Sequence, residues 1–249
     1  MAKVLVSESS LQDIADSIRS KNGTSIRYKP YQMSAAIDSL TIGNNALWTA
    51  DGRMYFENLV IPNGTTSISK YAYVNITGIK SLTIPDSVLT IGTTDGSVTD
   101  GAFRGCSNLT SITFGSGLTQ IGSSDFWGTG ITELDLSNCN NLTLLAHQCF
   151  RACYSLTTIS LPNSLTTVRY NAFDQCTKIK TVNLEYGFLA SITLSSSTKF
   201  TADDIIAMFN NLGDVPQGET RTFTLGATNL AKLSDGQKLV ATSRGWTLA

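Results

Sequence analysis

The sequence predicts a solenoid, in which short β-strands stack in parallel, one per coil, around a continuous apolar interior. Three observations point to it. A strand-like apolar motif recurs along the middle of the chain at a nearly fixed interval. An aromatic residue recurs after each strand, often with cysteine three residues further on. Between these positions Ser, Thr and Asn dominate, so a single copy has too little apolar surface to fold alone and must share its interior with its neighbours.

The copies run in order. ENLVIPNGTTSIS from Glu57 is a degenerate first one. Then come ITGIKSLTIPDSVLTIG from Ile76, SNLTSITFGSGLTQIG from Ser107 and TGITELDLSNCNNLTLL from Thr129. YSLTTISLPNSLTTV from Tyr154 and TKIKTVNLEYGFLASI from Thr177 complete the set. The last apolar residue of each strand is Ile61, Ile84, Phe114, Leu136, Leu161 and Leu184, with spacings of 23, 30, 22, 25 and 23. The long interval contains a polar insertion, Thr93 to Gly101. Periods near 23 lie in the range of leucine-rich repeats, about 20–29 residues. Within a copy, as in Leu156–Leu161, Ile159 and Leu161 alternate with Thr158 and Ser160, which puts the apolar pair on one face and the hydroxyls on the other. Pro or Gly follows at Pro62, Pro85, Gly115 and Pro162 and ends the strand.

The aromatics are Tyr73, Phe103, Phe126, Phe150 and Phe173, with Cys106, Cys153 and Cys176 three residues after three of them. They are expected on a short helix or turn opposite the strand, filling the interior. One copy buries four or five large apolar side chains worth roughly 1.5–3 kcal/mol each. Ordering some twenty residues costs about 1–2 kcal/mol apiece. Neighbouring coils must therefore contribute, with their strands stacked as a parallel sheet.

The combined pattern, LPxSLTxIxxxAFxxCxxLxxI, best seen in Leu161–Ile179 and in Ile84–Ile112 with its insertion, resembles the BspA-like leucine-rich repeats. The resemblance spans roughly residues 57–190. Two copies depart from it. Asp125-Phe126-Trp127 replaces the usual Ala-Phe with no cysteine following, and SNCNN stands where Pro is expected, so distorted coils are anticipated there.

The ends read as different units: 1–45 a helical N-terminal module, 46–190 the repeats, and 191–249 an α/β C-terminal cap of helix-bearing repeats. Leu11, Ile14, Ala15 and Ile18 share a helical face capped by Ser9 or Ser10, and Pro30 opens a second short helix with Met33, Ala36, Ile37 and Leu40 inside. In the cap, Thr201 starts a helix with Ile205, Ile206, Phe209 and Leu212 inward, RTFTLG is a strand, SDGQKLVATSRG a helix and WTLA a last strand. The segments SLQDIADSIRSKNGT and YKPYQMSAAIDSL are similar to a module common in tail-associated proteins of phages and prophages of Gram-positive gut bacteria. The last 27 residues, from Phe223, are similar to the terminal segment of BspA-repeat proteins from such phages. These resemblances imply a virion tail or fibre component that touches a host surface, with homo-oligomerisation through the N-terminal module. The alternative is a bacterial cell-surface adhesin.

Composition excludes several functions. The net charge is −1 and only 15% of residues are charged, which leaves no basic footprint for nucleic acid and no polybasic membrane patch. No apolar run approaches a membrane span. The start, MAKVLVSESSLQD, has too short an apolar stretch for a secretory signal, so the chain reads as made in the cytoplasm without one. Catalysis finds little support. His147, the one histidine, sits in LLAHQCF beside an interior aromatic, so packing outweighs a Cys–His pair with Cys149 or Cys153. The five cysteines lack the close pairs of a zinc site and read as free thiols. Glu133 and Asp135 share a strand face but would need cleft walls to act as glycosidase carboxyls. No enzyme activity, metal or cofactor is expected. The expected contact surface is the outward strand face, Ser81, Thr83, Ser111, Thr113, Glu133, Asp135, Thr158, Ser160, Thr181 and Asn183, with a protein or surface glycan as partner. A solvated face on a spacer is the other reading of the same residues. The insertion at Thr93–Gly101 is a second candidate contact region.

Overall fold

The structure, a computed structural model, describes residues 46–48, 54–96 and 101–249. The helical module expected over 1–45 and the oligomerisation assigned to it lie outside the described residues. The first described element is an antiparallel pair, β1 (Ala46–Trp48) with β2 (Met54–Phe56), which the repeat pattern does not foreshadow.

Each coil then has three sides. The first is the strand of the apolar motif: β3 (Asn58–Val60), β5 (Ser81–Thr83), β7 (Ser111–Thr113), β9 (Glu133–Asp135), β11 (Thr158–Leu161) and β13 (Thr181–Leu184). Their alternation does what the spacing predicts. Leu59, Leu82, Leu134, Ile159 and Val182 point into the core, and the flanking residues stay exposed or half-buried. The second side carries two-residue strands: β4 (Ser67–Ile68), β6 (Thr90–Ile91), β8 (Gln120–Ile121), β10 (Leu144–Leu145) and β12 (Thr167–Val168). They form one parallel sheet through all five coils, with Ile68, Ile91, Ile121, Leu145 and Val168 in register.

The single sheet expected on the first side is instead two three-stranded ones, β3-β5-β7 and β9-β11-β13. The cause is local. Coil-to-coil bonds at the strand entrances measure 2.9 Å for Thr110 N to Lys80 O, Thr157 N to Thr132 O and Lys180 N to Thr157 O. The equivalent bond across the gap, Thr132 N to Thr110 O, is stretched to 3.4 Å. Glycines bring the third coil close to both neighbours, and a Cβ on Gly130 would lie 2.3 Å from Ser107 O. A Cβ on Gly115 would lie 2.4 Å from the Pro85 carbonyl, and one on Gly117 2.0 Å from Asp86 O.

The third side is a turn, not a helix, and it holds the aromatics. Tyr73, Phe103, Phe126, Phe150 and Phe173 stack face to face with centroids 5.0, 5.2, 5.3 and 5.8 Å apart and planes within 8° of parallel. The coil repeat, close to the spacing of adjacent strands, matches an offset-stacked ring pair. Backbone bonds fix the register. Tyr73, Phe103, Phe126 and Phe150 each donate their N–H to the next coil's carbonyl, at Ala102, Asp125, Cys149 and Ala172. Two residues on, Asn75, Gly105, Gly128 and Ala152 donate to Arg104, Trp127, Arg151 and Asp174. All four donors have positive φ, which re-aims the N–H along the solenoid. Alanine has no side-chain reason to adopt the left-handed region, and Ala152 does so at φ 57°. Ala152→Gly is therefore expected to stabilise the protein by about 0.5–1 kcal/mol, read as a higher urea midpoint at unchanged slope.

The cysteines are interior parts. All five are buried, unbridged thiols. Cys106, Cys153 and Cys176 donate to the carbonyls of Tyr73, Phe126 and Phe150 in the preceding coil, at 3.0, 3.3 and 3.1 Å. Where the motif lacks cysteine, buried Thr129 takes the place, donating to Phe126 O at 3.0 Å and lying 3.3 Å from Cys153 Sγ. Phe126 thus keeps its rung despite the irregular sequence around it.

The C-terminal part is a smaller parallel sheet of β14 (Ile192–Thr193), β15 (Arg221–Thr224) and β16 (Trp246–Leu248). Helix α1 (Ala202–Asn210) opens with a capping box between Thr201 and Asp204. Ile205, Met208 and Phe209 are its buried residues, while Ile206 is only half-buried. A short α2 (Ala227–Leu230) precedes α3 (Asp235–Thr242), which Ser234 and Gln237 cap in the same way. Arg244 closes the end by donating to the carbonyls of Phe209, Asn210 and Leu212.

Candidate binding face

Strand registry turns the outward positions into continuous rows. Ser81 lies beside Ser111 and Thr83 beside Thr113. Glu133 lies beside Thr158, which lies beside Thr181, and Asp135 beside Ser160 beside Asn183. All ten candidate residues are exposed or half-buried. The rows also bond internally: Ser81 Oγ donates to Asn58 Oδ1 at 2.6 Å, and Asn183 Nδ2 to Ser160 Oγ at 3.1 Å. These bonds hold the side chains in one conformation, which lowers the entropy lost when a ligand binds them. The split sheet divides the ten into two patches, four residues on β5–β7 and six on β9–β13.

Val60 belongs to the same face. It stands outward on β3, is 59% exposed, and lines a groove of about 350 Å³ with Thr83, Pro85, Asp86, Thr113 and Phe114. It alternates with buried Leu59 and shares the face of Asn58, but an apolar side chain gives no outward signal in the sequence. Asp86 ends β5's turn, and its Oδ1 accepts from Ser116 N at 2.7 Å and Ser116 Oγ at 3.1 Å. The backbone and hydroxyl donors of Ser116 hold its carboxyl below the usual range. Across the next coil, Asp135 Oδ1 accepts from Ser137 N and Oγ.

The insertion is anchored by a group that in the sequence reads only as a departure from the Ala-Phe motif. Asp125 occupies the position of Ala72, Ala102 and Ala172 in other coils and is completely buried. Its Oδ1 accepts from Ala102 N at 2.9 Å and its Oδ2 from Gly122 N at 2.7 Å. Gly92, at φ 59°, packs so close that a Cβ there would meet Oδ1 at 2.0 Å. One carboxyl therefore touches the residues on both sides of the insertion. Burial pushes Asp125 up to about 7, with the two N–H bonds opposing. The insertion's first residues run along the next coil, with Ser123 N donating to Thr93 O and Gly96 N to Ser123 Oγ.

His147 is half-buried and meets Tyr170 edge to face at 6.2 Å. Burial pushes the Cys106 thiol up to about 12 and raises Cys149 well above its ordinary value, the latter with help from the Asp125 charge. Such thiols stay protonated and unreactive. Asp203 and Asp204 serve the N-terminus of α1. On the turn side Trp127 lies between Arg104 and Arg151, 4.6 and 5.0 Å from its centroid, and Arg151 pairs with Asp174 at 3.0 Å. This row braces the exterior through cation–π contacts.

Comparison with known proteins agrees with the coil geometry. The family described as BspA type leucine rich repeat region matches in six copies over residues 41–95 and 94–200. No curated protein matches the sequence. A leucine rich cell surface protein from Faecalibacterium prausnitzii A2-165 is similar at 28% identity with a TM-score of 0.47, over 56% of this chain and 37% of that one. This chain thus spans little more than a third of that protein's length. The leucine rich repeat protein of T. pallidum is similar at 18% identity and TM-score 0.50, over 82% of this chain and 94% of that one. A leucine-rich repeat protein from Bacteroides ovatus aligns over 74% of this chain and 65% of that one, with 19% identity and a TM-score of 0.31.

Proposed function

The chain belongs to the BspA-type leucine-rich-repeat family, and from that premise we propose that it is a non-enzymatic binding solenoid whose outward strand face contacts a protein or a surface glycan. One observation carries the reading. Hydroxyls, amides and carboxylates stand in register on consecutive parallel strands, some already tied to one another, so the face is an ordered array of hydrogen-bonding groups. Repeat proteins bind through such extended sheet faces.

The place of display has two readings. The similarity of both terminal segments to tail-associated proteins supports a virion component of a phage or prophage. A bacterial cell-surface adhesin is the reading that rests on the BspA-type repeats alone, which match over residues 41–95 and 94–200. Both use the same face. The test is binding of the purified protein to a glycan array and to intact Gram-positive gut bacteria, with Thr158→Arg/Thr181→Arg alongside. Binding that drops at least tenfold in the variant supports the reading, and binding that the variant leaves unchanged refutes it. An antibody against the protein, applied to separated virions and cell envelopes of the producing culture, decides between the two places.

A further inference from the structure

Among the described residues one asparagine is followed by glycine, Asn63 before Gly64. The pair carries its own chemistry. The side-chain amide of an asparagine is open to attack by the backbone nitrogen of the next residue, which closes a cyclic imide. A side chain on that next residue crowds the approach, and glycine has none.

The local structure leaves this pair open. β3 ends at Val60, and Pro62 to Thr65 form a turn closed by Thr65 N donating to Pro62 O at 3.2 Å. Gly64 holds the third place of that turn at φ 90°, a conformation that favours glycine. Asn63 and Gly64 are both exposed, and a Cβ on Gly64 would meet no atom within 4 Å. Other exposed asparagines are placed differently. Asn108 and Asn141 precede Leu109 and Leu142, which are fully buried. The N–H groups of those leucines are held by Cys106 O at 3.0 Å and Cys139 O at 2.9 Å. Asn163 has its own amide tied to Tyr186 O at 2.9 Å.

One bond restrains the attacking nitrogen. Gly64 N donates to Ser87 Oγ of the next coil at 3.0 Å. That bond fixes the peptide plane between Asn63 and Gly64, and ring closure requires the plane to turn.

We infer that Asn63 is a site of spontaneous deamidation whose rate the Ser87 hydroxyl restrains. Gly64 N bonds to Asn63 Cγ, the bond from Cγ to Nδ2 breaks, and Nδ2 leaves as ammonia with the proton given up by Gly64 N. Water then adds to one of the two imide carbonyls. Opening on one side restores the backbone with aspartate at position 63. Opening on the other routes the chain through the side chain as isoaspartate. Water is the one co-reactant, and nothing is oxidised or reduced. Either product adds a negative charge to a chain whose net charge is −1. The charge appears in a turn that lines the same groove as Asp86 and Val60, so this end of the outward face grows more acidic as the protein ages. The chemistry itself does not depend on what that face binds.

The test incubates the full chain in warm, mildly alkaline buffer and follows its peptides by mass spectrometry, beside a free Val-Ile-Pro-Asn-Gly-Thr-Thr peptide. Conversion at Asn63 is expected to run at least tenfold faster than at Asn108 or Asn141, with isoaspartate among the products, and slower than in the free peptide. Ser87→Ala, at a half-buried position, is expected to raise the rate several-fold, toward that of the free peptide. Asn63→Gln, whose longer side chain would have to close a larger ring, is expected to stop conversion at this position. Conversion at Asn63 no faster than at Asn108 and Asn141 overturns the proposal, and that comparison needs no variant. A Ser87→Ala protein with unchanged circular dichroism and the parent's rate overturns the restraint assigned to the hydroxyl.

Discussion

Phe126→Ala is expected to destabilise the protein by about 3–5 kcal/mol, the cost of deleting a fully buried aromatic and leaving a cavity. No single substitution on the turn side should cost more. Phe126 is the middle rung, stacked on Phe103 at 5.2 Å and Phe150 at 5.3 Å and met edge-on by Phe114 at 5.7 Å. Phe114 already lies at the edge of the gap and has little other aromatic company. Chemical denaturation should show a lower midpoint, and the transition should broaden as the two halves lose their shared rung. Phe126→Leu, which keeps most of the volume, should recover about half the loss. A Phe126→Ala midpoint within error of the parent would mean that the ladder is ornamental and that the sheets alone hold the coils.

The second large effect is a dependence on pH. Asp125 rises from 3.8 to about 7 in the fold, chiefly through burial. A group whose folded pKa is raised binds its proton more tightly in the folded state. Its contribution is therefore full below about pH 3.8, is lost as pH rises toward 7, and is gone above it. At about 1.4 kcal/mol per pH unit, the folded protein should lose about 3 kcal/mol of stability between pH 5 and pH 8 through this carboxyl. Asp86, with its lowered pKa, works in the opposite direction at more acid pH. The Asp125 contribution is isolated by comparing the parent with Asp125→Asn in urea at pH 5 and pH 8. The parent should weaken relative to the variant as pH rises. Parallel curves would show that the carboxyl keeps a constant charge state across the range.

The coil interior was readable because each buried position recurs. The alternation Ile159-Ser160-Leu161 and the recurrent aromatic both survive in the structure, and the aromatics stack in chain order. The two-residue strands β4, β6, β8, β10 and β12 were not readable, since a pair such as Thr90-Ile91 cannot display a period of two. The break between β7 and β9 was not readable either. It shows as a stretched bond from Thr132 N to Thr110 O, a distance with no one-dimensional signature. Asp125 looked like a flaw in the Ala-Phe motif. Its role follows only from meeting Ala102, Gly122 and Gly92 at once, residues brought together by the closure of the insertion. The ten outward residues follow from alternation alone. Val60 and Asp86 escaped because one is apolar and the other lies in a turn.

The sheet interrupted on one side and continuous on the other has a mechanical consequence. Between β7 and β9 the coils are tied by the five-stranded sheet and the ring ladder, but not by a full set of strand bonds on the outward side. Such a joint is stiff at its back and compliant at its front. A load applied along the long axis is expected to flex the protein about the line between Thr110 and Thr132, opening or closing the outward strand face while the spine stays threaded.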